Sequence, residues 1–262
     1  MELYRGKLVE LPRKGHAIIV TDIHGNLADY NKYLDLWKKY GDKNFHFILT
    51  GDFIHAMGKK DDRSIDILES VKYYFENCEN FHALLGNHEW SAISMVSVYK
   101  GGINQSNSFK ALLKERFKED WKLKLEEYQN FFKKLPVAVK TANKLFISHG
   151  GPPRNIKSID DIVHITDDGY SENNQNLYQI LWNREENFNG DDLNKFLDVV
   201  DCNAMIVGHT PVDGVKLVYD SQLIISSSFS LGKKSYLVID LKKEIKNARK
   251  LVNMVKNLHW YS

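Results

Sequence analysis

The chain has 262 residues, 43% of them hydrophobic, enough for a substantial core in one large domain or two small ones. Its 36 Lys and Arg, scattered along the chain, nearly balance 34 Asp and Glu, so no global field or basic stripe points to nucleic acid or an anionic membrane. Two cysteines, Cys78 and Cys202, are too few for a disulfide scaffold and read as reduced thiols; with neither a signal-peptide apolar run nor a membrane-length one, a cytoplasmic protein is the expectation.

HAIIVTD, ending at Asp22, is a short apolar, β-branched run and predicts a buried strand. Gly25-Asn26 punctuates it, and Asn26 is placed to cap a helix with Leu27, Tyr30, Leu34 and Trp37 on its apolar face. Gly41-Asp42 ends that helix, and NFHFILTGD predicts the next strand. Ile65, Leu68, Val71 and Phe75 return at helical spacing, and FHALLGN predicts a third strand. This strand–helix alternation favours parallel pairing with right-handed crossovers. Phe109, Leu113, Phe117, Trp121, Leu125, Tyr128 and Phe132 then mark a helix or helix pair ending before Pro136, whose stripe reads as core rather than as a lid. PVAVKTANKLFISHGG predicts a hairpin turning near Ala142-Asn143. Asp191 to Val200 reads as a helix and NAMIVGHT as a strand. VKLVYD, LIISSSF and SYLVID close the chain, so the second half leans toward antiparallel pairing. Two face-to-face mixed β-sheets flanked by helices, a four-layer α/β sandwich, account for both halves. The expectation is a single domain over 1–262, with a helical segment at about 103–135.

Six oxygen or nitrogen donors follow directly on these apolar runs. Asp22 and His24 lie in TDIHGN, Asp52 in TGDFIHAMG, Asn87 in LLGNHEW, His149 in FISHGGPP and His209 in IVGHTPVDG. Side chains two apart on a strand point the same way, so Asp22 and His24 can approach one ion. The two oxygens of Asp52 can bridge two cations. Carboxylate mixed with imidazole suits Mn, Fe, Zn, Co or Ni better than Ca or Mg. A lone Asp or His in a turn is more often a cap than a ligand. Independent turns, however, have no reason to share this chemistry in order at strand ends, where α/β sheets hold their ligands. His46 and His82, inside strand patterns, read as packed or hydrogen-bonded, and His16, His164 and His259 have no ligand context. Asp167-Asp168 and Asp191-Asp192 read as turn or cap residues, and Glu89 as a support for the site rather than a ligand.

In these motifs the chain resembles the calcineurin-like metallophosphoesterases. Within them it is most similar to the phosphoprotein-phosphatase branch, which includes bacterial and phage Ser/Thr protein phosphatases and symmetrical diadenosine tetraphosphatases. GNHE, from Gly86 to Glu89, matches in full. TDIHG keeps both ligands with Thr21 in place of a Gly, and FISHGGPP and VGHTP fit the last two motifs. The resemblance runs from about Gly15 to Asp240. It implies two divalent transition-metal ions, Mn foremost. Asp22, His24 and Asp52 would hold one, and Asp52, Asn87, His149 and His209 the other, with a hydroxide-forming water between ions about 3.5–4 Å apart. It implies that His88 protonates the leaving group as general acid and that Arg184, in ILWNREE, grips phosphate. The implied activity is phosphate-ester hydrolysis, most like that of a Ser/Thr protein phosphatase. The substrate would be a phosphorylated protein or a small phosphate ester or nucleotide, with no nucleic acid or membrane partner. A dinucleoside polyphosphate or nucleotide hydrolase is the alternative, and a weakened phosphate-binding or scaffold member a third reading.

The second motif departs from the family. Where the family has Asp-Arg-Gly, this chain has His55-Ala56-Met57 before Gly58. Ala56 cannot bind phosphate. His55 is not the carboxylate that would orient His88, and it reads as an ordinary loop side chain. Lys59, Lys60 or Arg63 are candidates to supply the missing charge, and Asp61 or Asp62 to orient His88.

Overall fold

The computed structural model of the chain describes residues 3–41, 43–100 and 102–258, so Asp42 and His259 lie outside the described residues. A short antiparallel pair, β1 (Tyr4–Arg5) and β2 (Leu8–Leu11), precedes the predicted alternation. That alternation runs β3 (His16–Val20), α1 (Leu27–Tyr40), β4 (Phe45–Leu49), α2 (Ser64–Asn77), β5 (Phe81–Ala83) and α3 (Asn87–Ser94). A hairpin of β6 (Tyr99–Lys100) and β7 (Ile103–Asn104) leads into α4 (Gln105–Phe117) and α5 (Trp121–Lys134). The predicted hairpin follows as β8 (Ala138–Thr141) and β9 (Leu145–Ser148). Three helices come next, α6 (Ile159–Val163), α7 (Gln175–Trp182) and α8 (Gly190–Val199), and then β10 (Ala204–Val207). The chain closes with β11 (Val215–Val218), β12 (Gln222–Ile225), β13 (Ser235–Asp240), α9 (Arg249–Val252) and β14 (Val255–Asn257).

Local chemistry explains the element ends. Asn26 accepts the backbone N–H of Asp29 and caps α1, and Gly41 closes it in a left-handed conformation, φ 55°. The long aromatic stripe breaks where Lys118 turns left-handed, φ 49°, which separates α4 from α5. Phe109, Leu113, Tyr128 and Phe132 are buried, so the stripe is core, as its spacing predicts. α8 is capped by Asn189, with Asp192 answering from its third position.

One sheet has the order β14-β13-β3-β4-β5, with β3, β4 and β5 parallel and β13 and β14 antiparallel. The other has the order β1-β2-β8-β9-β10-β12-β11. The expected antiparallel pairing of the second half holds for β8 with β9, β11 with β12 and β13 with β14, but β10 lies parallel to both β9 and β12. The chain returns through α6, α7 and α8 between β9 and β10, and a crossover of that length makes parallel pairing natural. β2, whose four residues are too few for a clear period, pairs in parallel with β8.

Strand alternation then builds the layers. Ala17, Ile19 and Ile48 from one sheet meet Val139, Ile147, Ile206 and Leu223 from the other in an aliphatic layer between the sheets. Ile18, Val20, Phe47 and Leu49 point the opposite way, onto Tyr30, Tyr33 and Trp37 of α1 and Leu68 and Val71 of α2. Phe146 likewise packs outward on Phe196 of α8, ring centres 5.1 Å apart. The central strands β4, β5, β9, β10 and β12 are buried on both faces, which explains their near-continuous apolar runs. Every predicted donor follows the carboxyl end of β3, β4, β5, β9 or β10.

Candidate metal centre

The donors meet around Asp52. Its Oδ2 lies 3.7 Å from His24 Nε2, 3.8 Å from His88 Nε2 and 3.4 Å from His149 Nε2. Two groups able to hold a metal share it: His24, Asp52 and His88, and Asp52, His149 and His209. Asp22 stands beside the first group, its Oδ1 3.9 Å from His24 Nε2. Both its oxygens also accept the His209 backbone N–H, at 3.1 and 2.9 Å. The Asn87 amide reaches His149 Nε2 at 2.8 Å and His209 Nδ1 at 3.1 Å. The six predicted donors are therefore together, with His88 drawn in beside them, and all are buried.

The turns that present them are strained. His24, Asp52, His55 and His209 have φ of 47°, 54°, 65° and 61°, a left-handed region that side chains other than Gly and Asn seldom occupy. Close packing of neighbouring turns requires glycine at two places. A Cβ on Gly86 would collide with Asp52 Oδ1, and one on Gly208 with Asp22 Oδ2. Glu89 holds the Asp52 turn: its carboxylate accepts the N–H groups of Asp52, Phe53, Ile54 and Gly86 at 2.8 to 3.2 Å. Burial and the Asp52 charge push its pKa up to about 8, against the pull of those donors. It supports the site from behind, as expected.

The arrangement fits divalent cations. His149 gives its Nδ1 hydrogen to Thr50 O at 3.0 Å, and His24 Nδ1 faces His55 O at 3.0 Å and Ile54 O at 3.2 Å. Such contacts turn each Nε2 inward, as at metal-bound histidines. The Asn87 side-chain amide sits among the Asp52 carboxylate, His149 Nε2 and His209 Nδ1, and can turn either its oxygen or its nitrogen toward them. In the metal-free protein a proton answers the lone pairs gathered here. Burial would push His149 down, but Asp52 and Asp22 lift it to about 9. Burial also works against the Asp52 charge, but His149, His88 and His24 hold Asp52 well below the usual carboxylate range. Burial, aided by His24 and His55, outweighs Asp52 and pushes His88 well below an ordinary imidazole.

Outside the donors, the structure corrects three expectations. His55 is not a free loop side chain. It is buried, and its Nδ1 lies 2.7 Å from His88 Nδ1. Only the left-handed turn at His55 brings it there, and no spacing rule reveals such a turn. Asp62 does not orient His88; its carboxylate accepts Ser64 N and Oγ at the start of α2. Arg63 is engaged with Asp66 at 2.7 Å. Lys59 lies with its Nζ 6.0 Å from the ring of Phe229, which packs edge-on against His24. Burial and Lys234 push Lys59 below its ordinary value. Arg184 is half-buried after α7 and close enough to His209 to help push its pKa down. The remaining histidines lie elsewhere: His46 Nδ1 bonds His82 Nε2 at 3.0 Å, His16 stacks on Phe45 and His164 meets Asp167.

A family model described as calcineurin-like phosphoesterase matches residues 16–213. A probable serine/threonine-protein phosphatase of Encephalitozoon cuniculi is 24% identical over 256 residues, covering 89% of this chain and 52% of that protein. The chain thus spans about half the length of this curated relative. Among solved structures, a protein serine/threonine phosphatase from Saccharomyces cerevisiae superposes with a TM-score of 0.66 at 19% identity, over 89% of this chain and 76% of that one. A cold-active protein-tyrosine phosphatase of a psychrophilic Shewanella gives 0.66 at 16%, over 95% and 82%. A putative diadenosine tetraphosphatase gives 0.51 at 15%, over 98% and 100%. At these identities the structural likenesses show a shared fold.

Proposed function

The chain belongs to the calcineurin-like phosphoesterase family, and from that premise we propose that it hydrolyses phosphate esters with two divalent metal ions, Mn foremost, most like a Ser/Thr protein phosphatase. The observation that carries this reading is Asp52. One buried carboxylate is common to two histidine-containing groups, as a ligand bridging two cations must be. Asp22, His24 and Asp52 would hold one ion, and Asp52, Asn87, His149 and His209 the other. When bound, such ions offset phosphoryl charge and make hydroxide available near neutral pH.

The chain's own groups supply the rest. His88 presents Nε2 to the site from the start of α3, one residue beyond Asn87, where a proton can pass to the leaving oxygen. Arg184 approaches from the His209 side with a guanidinium suited to two phosphoryl oxygens. Ala56 carries no charge, and Lys59, which reaches Phe229 beside His24, is the replacement we favour from that loop. Cys202 is no candidate nucleophile: it is buried, and burial pushes its thiol up to about 12.

The reading is tested by comparing turnover of a phosphopeptide, diadenosine tetraphosphate and p-nitrophenyl phosphate, in Mn²⁺ and after chelation. Phosphopeptide and aryl phosphate hydrolysis, lost on chelation and restored by Mn²⁺, is expected. Cleavage of the dinucleotide alone makes the chain a polyphosphate hydrolase. No turnover with two ions bound leaves a phosphate-binding or scaffold protein.

A further inference from the structure

His88 faces the site through one nitrogen and turns the other away. Nε2 lies 3.8 Å from Asp52 Oδ2, while Nδ1 meets His55 Nδ1 at 2.7 Å. Two imidazole nitrogens at that distance share one hydrogen, so one donates and the other accepts. The role proposed for His88 decides which. A group that gives a hydrogen to the leaving oxygen must carry it on Nε2, the nitrogen that faces the site. In a neutral ring this leaves His88 Nδ1 bare, and His55 must be the donor.

The other end of His55 is compatible with this. If its hydrogen is on Nδ1, its Nε2 is a bare acceptor. That atom is buried without a hydrogen-bond partner among the described residues, and His55 lines a cavity of about 20 Å³ with Ser91, Ser106 and Phe109. A cavity of that size has room for one donating water. The ring is also held in place. The His55 carbonyl accepts from His24 Nδ1 at 3.0 Å, its ring meets the edge of Phe109 with centres 5.5 Å apart, and its backbone is left-handed.

We propose that His55 is a positioning residue for His88: as a neutral donor at Nδ1 it keeps the His88 hydrogen on Nε2, facing the substrate. The proposal rests on the reading of His88 as the group that protonates the leaving oxygen. It gives this chain a histidine–histidine pair where its relatives' motif has a carboxylate.

Two measurements test it. In long-range ¹H–¹⁵N spectra of the metal-free protein, with His88 identified by its loss in His88→Asn, a neutral His88 carries its hydrogen on Nε2. In His55→Leu the hydrogen redistributes to Nδ1. In the Mn²⁺-loaded enzyme, His55→Leu lowers kcat on an alkyl phosphate by about 10²-fold. KM, metal content and the p-nitrophenyl phosphate rate stay within a few-fold. His55→Asn, whose amide donates from nearly the same place, restores most of the alkyl rate. A wild-type His88 with its hydrogen on Nδ1 overturns the proposal. So do equal losses on both substrates, or lost metal, in a His55→Leu protein that melts like wild type. If His55→Leu does not fold, the wild-type spectrum and His55→Asn decide. A wild type with two ions bound but no phosphatase activity ends the functional reading instead, and the spectrum still tests the pair.

Discussion

Glu89 Oε2 accepts the backbone N–H of Asp52 at 2.8 Å, so α3, which brings Asn87 and His88 to the site, also fixes the main chain of the shared carboxylate. With Phe53, Ile54 and Gly86, four N–H donors converge on two oxygens. Glu89→Gln keeps the shape but sets an NH₂ group against some of these donors. A loss of about 2–4 kcal/mol in stability is expected from buried donors left unmet, together with weaker metal binding. Urea unfolding and metal stoichiometry check this; unchanged values on both would show that the four contacts are dispensable.

His88→Asn separates acid catalysis from metal binding. The rate on an alkyl phosphate falls by about 10²–10⁴-fold, and that on p-nitrophenyl phosphate far less, because nitrophenolate leaves without a proton. Steady-state rates on the two substrates are the measurement. Equal losses would assign His88 to the metal group in which its geometry also places it.

Arg184→Ala lowers kcat/KM by about 10–100-fold, the worth of a charged hydrogen bond to phosphate. Metal content stays at the wild-type value, because Arg184 is near His209 but outside the donor set. Loss of metal would make Arg184 a prop for His209.

His82 sets an acid limit on the fold. It is fully buried between Tyr4 and His46, and burial, with His46, pushes its pKa down to about 3. The unfolded chain takes up a proton near pH 6.5 that the folded one refuses until about pH 3, so stability rises with pH across that window. Between pH 6.5 and 5 this one group removes about 2 kcal/mol. Urea unfolding of His82→Asn should show that much less acid sensitivity than wild type; identical slopes would mean that His82 is already protonated in the fold.

The donors were legible because each sits in a short motif at the end of an apolar run, where strand, glycine turn and ligand follow in order. α1 was legible down to its Asn26 cap and its Gly41 end. His55 was not: its place depends on a left-handed turn whose residues, Ile54 to Met57, carry no turn signature, and on Phe109 more than fifty positions away. The four contacts of Glu89 were equally hidden, since they join residues 35 to 37 positions apart and its own helix start. The parallel setting of β10 escaped because pairing direction is decided by the crossover, not by the strand's own pattern.

The donor turns come from both sheets: those after β3, β4 and β5 belong to one, and those after β9 and β10 to the other. Asp52 and Asn87 therefore approach His149 and His209 across the seam of the sandwich. A cation held by these four residues is a cross-link between two otherwise separate sheets. It ties their melting into one event and lends the fold binding energy in proportion to how far the free ion exceeds its Kd. Chelation of such a cation would therefore be expected to loosen the protein as well as to silence its chemistry.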